Sequence, residues 1–334
     1  MTSDVLEDSP AIGVVIVNWK RPADTLACLE SIANAKPGPD RIVVVDNASG
    51  DDSVARIRVW ATENRVSFAL LTEPDLAALD GLGRKRRIPG VSQLTVIVSG
   101  TNKGFSGGNN LGLRYLEHDR SISHFLLLNN DAIVRQDFFG ELQRGLASAP
   151  TAGVLTGTIY NFPATETVWY AGGHVVPHRG LIVHDYDVPD DGNLRATGFI
   201  SGCVMLISRA VFAAIGPLPE CYFPGYFEDA EYCFRAERAG FSLLYAPRVV
   251  AFHKVGATAG AASTSPFMTQ VQVRHRVLYV IRNFRGANRA AALGYLAVTK
   301  TARALVETLK GKPEMGRAFL KGAIEGFFSP SRTG

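Results

Sequence analysis

Five short stretches of this chain place oxygen- or nitrogen-bearing side chains where they could do chemistry. LLLNND ends an apolar run on Asn129, Asn130 and Asp131. Asn129 and Asp131 are two apart, so an extended chain points both the same way. One amide and one carboxylate suit a hard divalent cation, magnesium or manganese, whose shell diphosphate oxygens and water would complete. Capping of a helix before Val134 is the competing use. FEDAEYCFRAERAG gathers Glu228, Asp229 and Glu231 at a helix start, where carboxylates also simply complement the helix dipole. The approach Tyr222, Phe223, Pro224, Gly225, Tyr226 and Phe227 would shield a carboxylate from water and raise its pKa. A base able to take a proton from an acceptor hydroxyl results.

VVVDNAS sets Asp46 and Asn47 just past a strand, where the carboxylate can accept from a ring N–H such as that of uracil or thymine, or close an Asx turn. NKGFSGGNNLG, from Asn102 to Gly112, carries Gly104, Gly107 and Gly108 from a strand into a helix. It lets backbone approach a phosphate or sugar, or builds a tight turn. It is neither a Walker loop nor a GxGxxG dinucleotide turn. His253, after Val249 to Phe252, reads as a satisfied buried histidine or as a ligand of metal or phosphate. The other histidines, His118, His124, His174, His178, His184 and His275, lie near no nucleophile motif, so no Ser-His-Asp or Cys-His set is expected.

Positioning these groups requires a sheet whose strands end together, and the pattern predicts an α/β fold with a mainly parallel sheet flanked by helices. Strands are expected at Ile12 to Val17, Arg41 to Val45, Phe68 to Leu71, Leu94 to Val98 and Phe125 to Leu128, the last fully apolar as in a sheet buried on both faces. Helices are expected from Pro22 to about Asn34, over Ser53 to Glu63, and over Gly107 to Glu117. Glu73 to Gln93 reads as irregular, with the basic cluster Arg84 to Arg87 on a surface insertion rather than a nucleic-acid site. Beyond Gly153 the pattern turns to longer β-like pieces up to Ile207, then a helix over Ala230 to Ala239 and a strand over Leu243 to Phe252. Helices follow over 268–285 and 287–310, with Pro313 breaking the pattern.

The last of these has Ala291, Tyr295, Val298, Ala302, Leu305 and Leu309 on one stripe, and Met315, Phe319, Ala323 and Phe327 begin another. Residues 1–270 carry 23 basic and 28 acidic side chains, whereas 271–334 carry 12 and 3, so the basic character belongs to the tail. Such stripes pack on the chain's own domain or on a sister copy in a homo-oligomer, or 287–334 lies on an anionic membrane surface. Organisation is expected as a disordered 1–10, a main domain over 11–260 and a basic helical extension over 261–334.

With 334 residues, 46% hydrophobic and 20% charged, the chain is neither a disulfide miniprotein nor disordered. Cys28, Cys203, Cys221 and Cys233 make no CxxC pair, which argues against a zinc module or disulfide framework. Neither a spanning helix nor a signal peptide is legible, so a cytoplasmic chain, peripheral on the inner membrane face, is the expectation.

Taken in order, VIVNWKR, VVVDNAS, NKGFSGGNN, LLLNND, GFISGCVMLISR, FEDAEYCFRAERAG and FHKVGAT resemble family 2 of the inverting glycosyltransferases, particularly its rhamnosyltransferase-like branch, over residues 11 to 285. The resemblance implies the GT-A fold and a nucleotide-sugar donor, dTDP-rhamnose or a UDP-sugar, with a saccharide acceptor that is lipid-linked or at the cell surface. By the same resemblance Asp46 reads the pyrimidine beside backbone of Val17 and Asn18, with Asn47 on the same rim. Asn102, Gly104 and Asn109, grouped with Asn130, line the donor. Asn129, Asp131 and His253 hold the cation or diphosphate. Asn129 departs from the family's DxD, which leaves Asp131 most of that burden and keeps open a non-catalytic nucleotide- or saccharide-binding relative. Asp229 matches the catalytic base, with Glu228 and Glu231 either on the acceptor side or supporting the base from behind. A nucleotidyltransferase would instead need a glycine-rich basic loop after the first strand, and Val17 to Pro22 has no glycine.

Overall fold

The structure is a computed structural model that describes residues 10–81, 93–254 and 265–328. Its first half alternates as the residue pattern demands. Strands β1 (Ile12–Asn18) and β2 (Arg41–Asp46) flank helix α1 (Pro22–Ala33), which opens with proline at its first turn and buries Cys28, Leu29 and Ile32. Then come α2 (Ser53–Glu63), β3 (Phe68–Thr72), α3 (Glu73–Gly81), β4 (Leu94–Val98), α4 (Gly104–His118) and β5 (His124–Leu128). All five strands pair in parallel, in the order β5-β1-β2-β4-β3. Val14, Val15, Ile16, Val43, Val44 and Val45 are fully buried between the helical layers. Helix α4 lies close on this sheet because it carries glycines: a Cβ at Gly108 would come within 2.8 Å of Val17 Cγ1, and one at Gly112 would collide with Val15.

Two expectations fail in this half. Helix α3 occupies the start of the stretch read as irregular, because Thr72 and Asp75 form a capping pair in which Thr72 N–H and Oγ1 both donate to Asp75 Oδ2 at 2.7 Å. Helix α4 also begins three residues earlier than expected. The cluster Arg84 to Arg87, and the expected disordered residues 1–9, lie outside the described residues.

The second half adds β6 (Ala132–Val134), α5 (Phe138–Ser148), β7 (Ala152–Asn161), β8 (Val168–Tyr170), β9 (Gly173–Val176), β10 (Leu181–His184), β11 (Arg195–Ala196), β12 (Val204–Ser208), α6 (Arg209–Ile215), α7 (Glu228–Arg238) and β13 (Ser242–His253). Strand β6 replaces the helix cap considered before Val134. The sheet extends from β5 through β12, β7 and β13 to β11, and β12 runs antiparallel to both β5 and β7. The N-terminal end of β12 therefore stands beside the C-terminal end of β5, and Gly202 and Cys203 meet the LLLNND turn.

Helices α8 (Pro266–Asn283), α9 (Gly286–Leu309) and α10 (Pro313–Phe328) close the described chain. Helix α8 buries Val277, Leu278, Tyr279 and Val280 in the main core, and Phe284, Ala292 and Leu296 belong to that core too. Helix α10 seats on α8 through small residues; a Cβ at Gly326 would lie 2.7 Å from Arg274 O. The apolar stripe of α9 does not cover the chain's own domain. Ala292, Leu296, Ala304 and Glu307 face inward, while Val298 is 71%, Leu305 60% and Leu309 78% exposed. The reason is local: the inward face needs small side chains for close packing, and Glu307 collects Arg303 at 3.2 Å. On α10, Leu320, Ile324, Phe327 and Phe328 are likewise exposed. No described helix is long and apolar enough to cross a membrane.

Candidate active site

The parallel strands deliver their polar ends to one edge, where the first group forms a closed network. Asn18, at the end of β1, donates from Nδ2 to Asp46 Oδ1 at 2.9 Å and to Ser49 Oγ at 3.0 Å, and its Oδ1 accepts from Thr25 Oγ1 at 2.7 Å. Ser49 N–H donates to Asp46 Oδ2 at 3.2 Å, so the Asx-type turn weighed from the sequence is present. Asp46 is 4% exposed. Each of its oxygens keeps acceptor capacity beyond these bonds, so the turn and a ring N–H do not exclude one another.

Asn47 and Asn102 hold the glycine-containing loop. Asn47 Nδ2 donates to Asn102 Oδ1 at 3.1 Å and to Gly104 O at 3.0 Å, while its Oδ1 accepts from Lys103 N–H at 2.9 Å. Gly104 has φ +68°, and a Cβ there would lie 2.7 Å from Pro224 O. Protein, not open space, fills the gap left by this glycine, and its N–H and C=O are both used internally. The Asn109 amide donates back to Phe105 O at 2.9 Å. Close packing within the protein thus accounts for both glycines, against the Pro224 backbone at Gly104 and the Val17 side chain at Gly108, the tight-packing alternative weighed against a ligand cradle.

The second group sits at the mouth of β5. Asn130 Nδ2 donates to Thr25 Oγ1 at 3.1 Å, which ties this turn to the Asn18 network. Asp131 is 4% exposed, and β6 pairs with the end of β13, so that Asp131 Oδ1 lies 3.1 Å from His253 Nε2. The two were 122 residues apart in sequence and are now an ion pair when the imidazole is protonated. His253 Nδ1 is buried without a hydrogen bond, so this is not a satisfied core histidine. Trp169 packs edge-on against His253, with ring centroids 4.6 Å apart. Among the described residues no three carboxylate, imidazole or thiol groups are arranged so that they alone could hold a metal ion. Two protein ligands and the Asn129 amide, which makes no hydrogen bond to a described residue, fit a cation only if substrate oxygens complete its shell.

The third group enters on a strained turn. Tyr226 and Phe227 both adopt left-handed backbone, φ 76° and 77°, at about 1 kcal/mol or more apiece for side chains of this kind. Asp229 then accepts from Gly202 N–H at 3.1 Å and from its neighbour Ala230 N–H at 2.8 Å. Cys203 O, one residue on, accepts from Asn129 N–H at 3.0 Å. Asp229 and the LLLNND turn are therefore pinned to adjacent residues of one strut, and Phe105 of the glycine loop underlies that strut, since a Cβ at Gly202 would lie 2.8 Å from its ring. Burial pushes the Asp229 carboxyl above its ordinary value, and the two backbone N–H donors oppose this by favouring the ionised form. Glu228 is pushed up as well, by burial and by the Asp229 charge, and its Oε2 is buried without a hydrogen-bond partner.

Glu231 does not face this space. Buried to 2% exposure, it binds Arg282 Nε at 2.8 Å and Nη2 at 2.8 Å, accepts from Tyr222 O–H at 2.5 Å and from Asn283 Nδ2 at 3.1 Å. Burial raises its pKa, but the Arg282 guanidinium and Tyr222 outweigh this and leave it lowered. It is an anchor between α7 and α8. Thr25, Ser49 and Trp169 were missed from the sequence; only the Thr25 position, one turn into α1 and level with Asn18, offered a signal. A cavity of about 550 Å³ lies elsewhere, lined by Phe234, Arg238, Phe284 and Arg285 with Asn283 at its wall, and Asp46, Asp131, His253 and Asp229 are not among its lining residues.

The glycosyltransferase resemblance stands up against known proteins. The family described as Glycosyltransferase like family 2 matches residues 10–288. The low-salt glycan biosynthesis hexosyltransferase Agl10 of Haloferax volcanii is 25% identical over 245 residues, 72% of this chain and 66% of that protein, so the chain spans just under two thirds of the relative's length. The solved mannosyltransferase PcManGT of Pyrobaculum calidifontis, in complex with GDP-Man and Mn2+, superposes with TM-score 0.55 at 16% identity over 97% of this chain and 89% of that one. GalNAc-T7 with UDP, GalNAc and Mn2+ gives 0.61 at 14% identity over 93% and 55%. These structures share the GT-A fold: a mainly parallel central sheet with helices on both faces. With the family description covering most of its length, this chain belongs to glycosyltransferase family 2.

Proposed function

We propose that the chain moves a hexose, rhamnose first among candidates, from a pyrimidine-nucleotide sugar, dTDP-rhamnose or a UDP-sugar, to a hydroxyl of a lipid-linked or cell-surface saccharide. The observation that carries this reading is the shared strut at Gly202–Cys203, which hangs a half-buried, raised-pKa carboxylate and the Asn129–Asp131 turn from neighbouring residues. Asp229 takes the acceptor proton, the freed oxygen attacks the anomeric carbon in line with the departing nucleoside diphosphate, and configuration inverts. Burial of Asp229 keeps competing water away from the base. Asp46 accepts from the pyrimidine N–H, with Asn18 and Ser49 fixing its orientation, and Trp169 offers an apolar face beside the diphosphate end.

A divalent cation, magnesium or manganese, would be held by Asp131 and His253 with the Asn129 amide, and would neutralise charge on the leaving diphosphate. PcManGT and GalNAc-T7 were solved with Mn2+, which supports this assignment. The test is a panel of dTDP-, UDP- and GDP-sugars with a lipid-linked acceptor, scored for cation-dependent release of nucleoside diphosphate. Release from dTDP-rhamnose with an inverted product supports the reading; turnover of GDP-sugars alone overturns the pyrimidine assignment, and no turnover with any donor overturns the transferase reading.

The outward apolar stripes of α9 and α10, flanked by Arg303, Lys310, Arg317 and Lys321, support a seat on an anionic bilayer near such an acceptor. Binding to vesicles containing anionic lipid should weaken with salt and with Leu305→Glu/Leu309→Glu. Salt-insensitive binding, or a dimer that the same changes dissolve, would assign the face to protein instead.

A further inference from the structure

The turn that carries Asp229 into place is gripped from outside at three consecutive carbonyls. Phe223 O accepts from Arg274 Nη2 at 3.0 Å, Pro224 O from Phe105 N–H at 2.9 Å, and Gly225 O lies 2.9 Å from His275 Nδ1. A carbonyl only accepts, so Nδ1 must carry the proton; His275 Nε2 lies 2.9 Å from Arg274 Nη2, which only donates, so Nε2 must accept. The neutral imidazole is the one form that satisfies both contacts. Burial agrees, drawing the ring down to about 4, with the Arg274 charge adding to it.

Two left-handed non-glycine residues in a row persist only where the surroundings over-determine them. Those surroundings come mainly from α8. Besides the two carbonyl contacts, Tyr279 packs on Phe227 with ring centroids 5.5 Å apart, Tyr222 stands edge-on to His275 at 5.4 Å, and Arg282 with Asn283 anchors Glu231 at the start of α7. Arg274 and His275 reach the loop backbone, not the strut or the Asp131 pair.

We propose that α8 is a positioning element for the transfer step, in which His275 and Arg274 fix the Phe223–Phe227 turn so that Asp229 meets the acceptor hydroxyl. The inference rests on the role given to Asp229 above. It goes beyond that role because α8 lies in the segment that the sequence reading assigns to a basic helical extension, with no part in the site.

The test compares His275→Leu, His275→Asn and Arg274→Met in the full chain, with two readouts: kcat and KM for transfer alongside nucleoside diphosphate affinity, and amide exchange over residues 223–229. His275→Leu should lower kcat roughly tenfold or more and speed exchange of those amides by a similar factor, as expected for one lost buried hydrogen bond. Nucleoside diphosphate affinity should stay within about threefold, since the Asp46 network is not touched. His275→Asn, whose amide N–H can still donate to Gly225 O, should recover most of both. Wild-type kcat and exchange in His275→Leu would overturn the proposal, as would an Asn variant no better than Leu, which would make ring volume the cause. If His275→Leu does not fold, half-buried Arg274→Met decides: slowed transfer with faster loop exchange supports the positioning role, and unchanged values overturn it. If the wild type transfers no sugar, the role of Asp229 fails, while the exchange measurements still judge the grip of α8 on the turn.

Discussion

The two rims of the sheet edge differ in what their polar groups have left to do. On the side proposed for the donor, Asn18, Asp46, Asn47 and Asn102 bond to one another and to loop backbone, so the rim is internally braced. On the acceptor side, Glu228 keeps an unpartnered buried oxygen, Asp229 holds a raised pKa, and the backbone before them is strained. On the proposed reading, a rim that recognises can be satisfied in advance while a rim that moves a proton cannot, and the strain of the second is met by anchors further away, chiefly on α8.

The largest effect expected from that contrast is at Asp229. Asp229→Asn should lower kcat by roughly 10²- to 10⁴-fold, the usual contribution of a positioned base, while leaving donor affinity near wild type. The sign with pH follows: kcat/KM rises with pH through the Asp229 pKa, above the ordinary aspartate value because the site is buried, and this acidic limb should vanish in the variant. Equal loss of donor binding would break the contrast.

Next in size is the anchor. Glu231→Ala strands Arg282 and should destabilise the fold by about 3–5 kcal/mol, read by chemical denaturation. Because the Glu231 pKa is lowered in the folded state, its stabilising contribution is present above the unfolded glutamate value and is lost as pH falls through the folded one. The gap between wild type and Glu231→Ala should therefore narrow in acid; a constant gap would argue for packing alone.

The smallest effect is expected at Glu228. Because burial and the Asp229 charge push its carboxyl toward the protonated form, Glu228→Gln should keep kcat within about threefold at neutral pH, whereas a tenfold loss would mean that its ionised form is used during turnover.

The donor half was legible because β-branched runs and Pro22 speak locally, and polar residues following such runs must fall at one edge. Asp131 with His253 was legible only through the family's motif order, since the contact depends on the β6–β13 pairing. The antiparallel insertion of β12, which creates the strut, has no local signal. The choice for Glu231 between touching the acceptor and supporting the base stayed open in the sequence because three carboxylates at one helix start look alike until Arg282 and Asn283 claim one of them. The α9 stripe was visible in the sequence, but its direction was set by small residues opposite, at Ala292 and Ala304, that a search for apolar periodicity passes over.

The most direct test of the account is diffraction from crystals soaked with manganese and a nucleoside diphosphate, locating the metal by its anomalous signal. The account predicts a peak beside Asp131 and His253, with the diphosphate in the same space that Asp229 faces. A peak elsewhere, or a diphosphate in the separate cavity beside Arg238 and Arg285, would contradict it.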